Sequence, residues 1–225
     1  KLYSRLNQRS FMKSKFQVVV IGGGVVGCSV LYHLTKLGWK DVVLLERSEL
    51  TCGSTWHAAG GMHTINGDPN VAKLQLYTIK LYKEIAEISG QDIGLHMTGG
   101  ILLASTQERF DWLKSIHAKG RYLGMETEII SPTEAKIIMP LINPEHFVGG
   151  LHNTFEGHLD PYGTTLAYAK AARKRGAEIY QHSRVTDLKL DREGTWRVFM
   201  DSDSTGERHE IQSEHVVNAG GLWAR

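Results

Sequence analysis

Val18-Val19-Val20-Ile21-Gly22-Gly23-Gly24-Val25-Val26-Gly27 decides the fold of this 225-residue chain. The apolar run closing at Ile21 reads as a strand from Phe16, buried on both faces as in a parallel sheet. Gly22, Gly24 and Gly27 then satisfy G-x-G-x-x-G. Gly22 allows a tight turn, Gly24 lets a diphosphate approach the backbone, and Gly27 lets the next helix pack close to the strand. Gly23, Val25 and Val26 complete the turn. The helix expected from Val25 to Leu37 aims its free N–H groups, and roughly +0.5 of dipole charge, at that diphosphate.

A second strand, Asp41 to Leu45, ends at Glu46-Arg47. Glu46 lies about 20 residues past the glycines, where a carboxylate accepts from ribose hydroxyls. An acid there suits an adenosine ribose without a 2′-phosphate, which points to FAD or NAD rather than NADP. A glycine turn that only packs a helix on a sheet leaves Glu46 unexplained.

Beyond Arg47 comes a small-residue loop, Thr51 to Gly61, carrying Trp56 and His57. A long helix is expected from Asn70 to Ser89 and a second from Gln107 to Leu123. Short strands are expected at Leu95 to Met97, Ile101 to Ala104, Thr127 to Ile130 and Phe147 to Leu151. Ser131-Pro132-Thr133-Glu134 reads as a capping box with Pro at the first helical position. Asp160-Pro161 reads as the cap of a helix from Tyr162 to Arg175. A strand at Glu178 to Gln181 follows. Three runs, Arg184 to Leu190, Thr195 to Met200 and Arg208 to Gln212, suggest an antiparallel meander, with turns at Asp191 to Gly194 and Asp201 to Gly206. A separate apolar strand, Glu214 to Val217, leads into Asn218-Ala219-Gly220-Gly221. The domain reading is a basic leader over 1–15, a dinucleotide domain over 16–89 and 159–225, and the start of an inserted domain over 90–158.

Hydrophobic residues make up 41% and charged residues 22%, the balance of a globular protein. No apolar run is long enough to span a membrane. A net charge of +2 gives no reason to expect nucleic acid or another polyanion. Lys1, Arg5, Arg9, Lys13 and Lys15 precede the first strand with no acid among them. This leader is either the tail of an organelle transit peptide or upstream read-through before Met12; the second is favoured because no amphipathic repeat is visible. Cys28 and Cys52 fit a reducing compartment. A cytoplasmic location is expected, with the mitochondrial matrix as the alternative. The chain starts without Met and stops just after a new motif, and it reads as the N-terminal part of a longer protein. No H-E-x-x-H, C-x-x-C or Glu-x-x-His pattern argues for a metal. No G-x-S-x-G or Cys/His arrangement argues for a nucleophile.

VVVIGGGVVGCSVLYHLTKLGWKDVVLLER, LTCGSTWHAAG and VVNAGGLWAR, with the weaker GGLHNTFEGHLDPYG, resemble the D-amino-acid-oxidase-like flavoprotein superfamily, and within it the dimethylglycine and sarcosine dehydrogenase group. The resemblance covers nearly the whole chain from Phe16. It implies an α/β fold: a Rossmann-type, glutathione-reductase-like three-layer FAD domain with an inserted α+β substrate domain, incomplete at the C-terminus. It also implies that His57 is the residue linked covalently to the flavin 8α-methyl group. Read without it, a loop His beside a Trp is either a ligand or a hydrogen-bonded structural residue. Trp56 packs near the ring or in the core. Ser54 and Thr55 either contact the ribityl or phosphate region or cap the loop. Val185 sits where the superfamily places a strand whose backbone contacts adenine. Ala219 and Gly220 match a second approach to the diphosphate. His158, with His57, is the candidate on the catalytic side, while Asp160 reads as a helix cap. His63, His96, His117 and His152 show no partner spacing.

The resemblance implies oxidation of an N-methyl C–N bond in a secondary or tertiary amine such as dimethylglycine or sarcosine, by hydride transfer to flavin N5. The electron acceptor would be electron-transfer flavoprotein or oxygen. Family members with a C-terminal folate domain pass the one-carbon unit to tetrahydrofolate. Two other readings stand beside it: another flavin amino-acid or glycerol-3-phosphate oxidiser, and a non-catalytic regulatory subunit resembling that of pyruvate dehydrogenase phosphatase.

Overall fold

The computed structural model describes residues 12–66, 68–202 and 206–225. In chain order the strands are β1 (Lys15–Ile21), β2 (Val42–Leu45), β3 (Gly61–Met62), β4 (Gly100–Ala104), β5 (Thr127–Ile130), β6 (Gly149–Asn153), β7 (Gly157–His158), β8 (Glu178–Tyr180), β9 (Ser183–Leu190), β10 (Trp196–Ser202) and β11 (Arg208–Asn218). The helices are α1 (Val25–Lys36), α2 (Pro69–Ser89), α3 (Gln107–Tyr122), α4 (Pro132–Ile138) and α5 (Pro161–Lys174). The chain packs as two units. One takes the chain up to Ala58 together with Thr165–Arg225; the other is Ala59–Thr164. The change of unit thus falls at Ala58 rather than after residue 89, because β3 and α2 share a core with Leu159 through Met62 and Ile79.

The first unit is a mixed sheet in the order β8-β2-β1-β11-β10-β9. The pairs β8-β2, β2-β1 and β1-β11 are parallel, and the pairs β11-β10 and β10-β9 are antiparallel. Val18, Val19 and Val20 are all buried, as are Val42 to Leu45, which is why these runs carry no polar alternation. The core joins Phe16, Val19, Val43 and Leu45 to Val198, Met200 and Ile211 of the meander. Tyr32 of α1 packs on Tyr168 of α5, ring centroids 5.7 Å apart.

The expected pair of runs at Arg208 to Gln212 and Glu214 to Val217 is one strand, β11. Its first half pairs with β10 and its second half with β1. Ser213, which looks like a break, is fully buried. Its hydroxyl donates to the His215 carbonyl at 2.8 Å, so a polar side chain sits inside the strand with its donor satisfied. Lys15 belongs to β1, not to a leader. Lys13 pairs with Asp41 at 2.8 Å and Glu178 at 3.2 Å. Residues 1–11 of the expected leader, and 203–205 of the turn between β10 and β11, lie outside the described residues.

The second unit holds an antiparallel sheet in the order β4-β6-β5 and a small ribbon, β3-β7. The strand expected at Leu95 to Met97 is only a bridge from His96 to His158, because Gly94 and Gly99 on either side turn the chain with φ of +55° and +74°. The strand expected at Phe147 to Leu151 runs two residues later, as β6, behind a 3-10 turn at Pro144–His146. Asp68, not Asn70, opens α2: its carboxylate accepts from the Asn70 and Val71 N–H groups at 2.7 and 3.1 Å. The Ser131/Glu134 capping box is present on α4. Hydrogen bonds from the Ser131 N–H and hydroxyl hold the Glu134 carboxyl below its ordinary range. Asp160 starts α5, accepting from Tyr162 N–H at 2.9 Å and Gly163 N–H at 2.8 Å.

The tightest steric constraint in the first unit is at Gly27, where a Cβ would run into the Gly22 carbonyl oxygen. Gly27→Ala is expected to cost about 2–3 kcal/mol through overpacking, seen as a lower urea midpoint. An unchanged midpoint would mean that α1 does not press on the glycine turn.

Candidate functional site

The turn after β1 is held from three sides. Gly22 N–H donates to the Leu45 carbonyl at 2.9 Å, and Ala219 N–H to the Ile21 carbonyl at 2.8 Å. Gly22 adopts φ of +107°, and a Cβ there would strike the Ala219 carbonyl. Gly24 is different: a Cβ on it would meet only the Thr55 hydroxyl, at 3.1 Å. Two glycines of the motif are therefore required by the protein's own packing, and the third leaves backbone open. Gly24 caps α1 without a side chain, and no acid sits in the first helical turn. The positive end of the helix dipole is left for a ligand.

Glu46, at the end of β2, is buried. One carboxylate oxygen accepts from Gly23 N–H at 2.6 Å and the other from Ser48 N–H at 2.9 Å. The Cys52 thiol approaches the second oxygen at 3.5 Å. A carboxylate offers about four acceptor positions, so these contacts brace the glycine turn and leave lone pairs for ribose hydroxyls. Burial and the Glu46 charge raise the Cys52 thiol above its ordinary range. Burial alone is the main reason that Cys28 on α1 is pushed up to about 12, which fits a core thiol.

The loop after β2 enters through Thr51, a β-branched residue at φ of +75°. That conformation is strained, and it is held by burial and by the Thr51 N–H bond to the Gly23 carbonyl at 2.9 Å. Ser54–His57 forms a 3-10 turn. The Thr55 hydroxyl accepts from Val25 N–H at 3.0 Å, supplying from another loop the cap that Gly24 lacks. Trp56 is 56% exposed, with its ring centroid 3.9 Å from that of His57. His57 is also exposed.

These elements surround a cleft of about 840 Å³ within the first unit. Of the residues expected at a cofactor, Gly22, Gly23, Gly24, Val25, Val26, Glu46, Arg47, Ser54, Thr55, Val185, Ala219 and Gly220 line it. Gly27 lies beneath the turn, and Trp56 and His57 stand between two lining residues, Thr55 and Ala58, without lining the cleft themselves. At Val185, β9 carries a bulge: Asp187 pairs with Phe199 and Val185 with Met200, leaving Thr186 over. Bulges of this kind free backbone groups beside a site. Sequence reasoning missed Trp223, whose ring lies 3.9 Å from the Arg47 guanidinium and which also lines the cleft. The A-G-G-L-W run pointed to its glycines, and nothing in the run marked the tryptophan.

The second unit holds His158, exposed on β7, its ring stacked on His96 at 5.0 Å. It lies in a different unit from His57. Two of the histidines without visible partner spacing do have hydrogen-bond partners: His63 with Glu156 at 3.3 Å, and His117 with Thr127 at 2.8 Å.

Residues 17–225 match the family described as FAD dependent oxidoreductase. The chain is 42% identical over 213 residues to dimethylglycine dehydrogenase, mitochondrial, of Rattus norvegicus, covering 95% of this chain and 24% of that protein. It is 38% identical over 216 residues to sarcosine dehydrogenase, mitochondrial, of Homo sapiens, covering 95% and 23%. The chain thus spans about a quarter of the length of these curated relatives. Among solved structures, L-proline dehydrogenase from P. horikoshii superposes with a TM-score of 0.83 at 26% identity, covering 95% of this chain and 55% of that one. The open backbone at Gly24, the α1 terminus with no acid in its first turn and the buried Glu46 suit a nucleotide's diphosphate and ribose, and this chain belongs to the FAD-dependent oxidoreductase family.

Proposed function

We propose that this chain is the FAD-binding part of an oxidoreductase that oxidises the N-methyl C–N bond of a small secondary or tertiary amine of the dimethylglycine or sarcosine type. The observation that carries the FAD reading is the cradle at Gly24. Its backbone is open to the cleft, the α1 N-terminus points there, and Glu46 stands ready with spare acceptor capacity. The likeness to the two N-methylglycine dehydrogenases supports the substrate class. When bound, FAD supplies a two-electron acceptor for the amine's C–H bond.

The residues divide the work. The Gly22–Val26 turn and Ala219-Gly220 hold the diphosphate, and Glu46 holds the adenosine ribose. Arg47 and Ser54 stand at the same cleft as further contacts, and the Val185 backbone is assigned to adenine. Thr55 keeps the α1 terminus in place through Val25. His57 is assigned the covalent link to the flavin 8α carbon, with Trp56 packed on its imidazole. A nitrogen attached there withdraws electron density and makes the ring a better hydride acceptor. His158 is assigned to the substrate side. The amine must be uncharged to release a hydride, so binding has to favour its deprotonated form. Electron-transfer flavoprotein as acceptor, and tetrahydrofolate at a further domain, belong to this reading. Among the described residues no helix is long and apolar enough to cross a membrane. The word mitochondrial in both relatives' names favours the matrix over the cytoplasm.

Two experiments test these assignments. After acid precipitation of the full-length protein, yellow colour is expected in the pellet, and the His57→Ala pellet is expected to be colourless. Colour in the wild-type supernatant, or a yellow His57→Ala pellet, would rule out the histidyl link. Anaerobic mixing with a substrate panel is expected to bleach the flavin with dimethylglycine or sarcosine at rates at least tenfold above those with unmethylated amino acids or glycerol 3-phosphate. The reverse order would move the substrate class, and no bleaching by any donor would favour a non-catalytic role.

A further inference from the structure

The loop that follows β2 is fastened to the glycine turn at two points. At the first, Thr51 N–H donates to the Gly23 carbonyl at 2.9 Å. At the second, the Thr55 hydroxyl accepts from Val25 N–H at 3.0 Å. Gly23 is also gripped from its other side, its N–H donating to Glu46 at 2.6 Å. A Cβ on Gly23 would come within 2.7 Å of the Leu50 side chain, and Leu50 N–H donates to the Gln181 side chain at 2.8 Å. Leu50 and Thr51 are both buried. The chain therefore reaches Thr51 in a fixed position.

Beyond Thr51 the surroundings change. Cys52, Ser54, Trp56, His57 and Ala58 are exposed, so burial does not hold them. The stretch still lines the cofactor cleft through Cys52, Gly53, Ser54, Thr55 and Ala58, in the same unit as the glycine turn. Thr51 is where the chain turns toward it. Rotation about φ moves the chain after Cα and leaves the N–H upstream where it is. With that N–H held on Gly23, φ of +75° is the setting that returns the loop to Val25. Glycine reaches this setting without strain, and a β-branched residue does not. A residue forced into it, then locked by burial and a hydrogen bond, leaves the loop fewer directions than glycine would.

We propose that Thr51 is a positioning residue for the cofactor: its left-handed backbone sets the Ser54–His57 turn against the α1 terminus, through the Thr55 hydroxyl on Val25. This rests on the FAD reading above and is independent of the histidyl link. Thr51 does not line the cleft, whereas Thr55 does, so Thr51 acts through Thr55. A wall of the cleft that is fixed before the ligand arrives needs no further ordering on binding, and its effect falls on the rate at which the ligand leaves.

The rate at which FAD leaves the full-length protein on dilution, read from flavin fluorescence, tests the assignment. A His57→Ala parent keeps any covalent link out of the measurement. Thr51→Gly still permits the conformation but no longer imposes it. It is expected to release FAD about 10-fold faster, the worth of the one hydrogen bond that it loosens. Asn tolerates the left-handed region, so Thr51→Asn is expected to stay within roughly twofold of the parent. Thr55→Val cuts the far tie and is expected to match Thr51→Gly, with the double variant no faster than either alone. Release from Thr51→Gly at the parent rate overturns the proposal. So do effects that multiply in the double variant, or a Thr51→Asn protein as fast as Thr51→Gly. A Thr51→Gly protein that does not fold would make Thr51 a core residue and overturn it as well. A parent that binds no FAD would bring down the FAD reading itself, and the proposal with it.

Discussion

The Gly22 carbonyl oxygen occupies the space in which any side chain on residue 27 would begin. That contact sets how closely α1 lies on β1, and the closeness sets everything at the mouth of the cleft. It brings the α1 N-terminus directly over the end of the parallel strands. It also turns Gly22 into a conformation that only glycine adopts without strain. The same turn touches Ala219 from the other side, so β1, α1 and the end of β11 meet at one point.

Glu46 ties the second strand to that point. Its bond to Gly23 N–H is short, buried and charge-assisted, and losing it would leave a buried donor unsatisfied at a cost of about 1–3 kcal/mol. The acid that the sequence offers to a ribose thus has a second task, bracing the turn that we propose for the phosphates. Thr55 does the same for α1 through Val25. The cradle is in this sense built before any ligand arrives, which lowers the ordering cost of binding.

The cradle was legible because its signals are local. The glycine spacing, the apolar runs on either side and the acid at the end of the next strand all follow from short-range geometry. The capping box on α4 and the Asp160 cap were equally plain. What the sequence hid depends on partners far along the chain. Ser213 looks like a strand break until the hydroxyl acceptors around β11 are known. His63 and Glu156 stand 93 positions apart, and Arg47 and Trp223 further still, so no spacing rule connects them. Asp68-Pro69 repeats the Asp160-Pro161 cap pattern, but Asn70 two positions later competes with it as the residue that opens the helix. The change of unit at Ala58 was hidden because it falls inside a loop whose composition does not change.

The central claim is that the Gly22–Gly27 turn and the α1 terminus grip the diphosphate of an adenine-bearing flavin. An experimental structure of the flavin-loaded protein tests it most directly. Diphosphate oxygens are expected within about 2.7–3.2 Å of backbone N–H groups of the Gly24–Val26 segment, with the adenosine ribose on Glu46. A flavin bound with its diphosphate elsewhere in the protein, or a purified full-length protein that carries no flavin, would contradict the account.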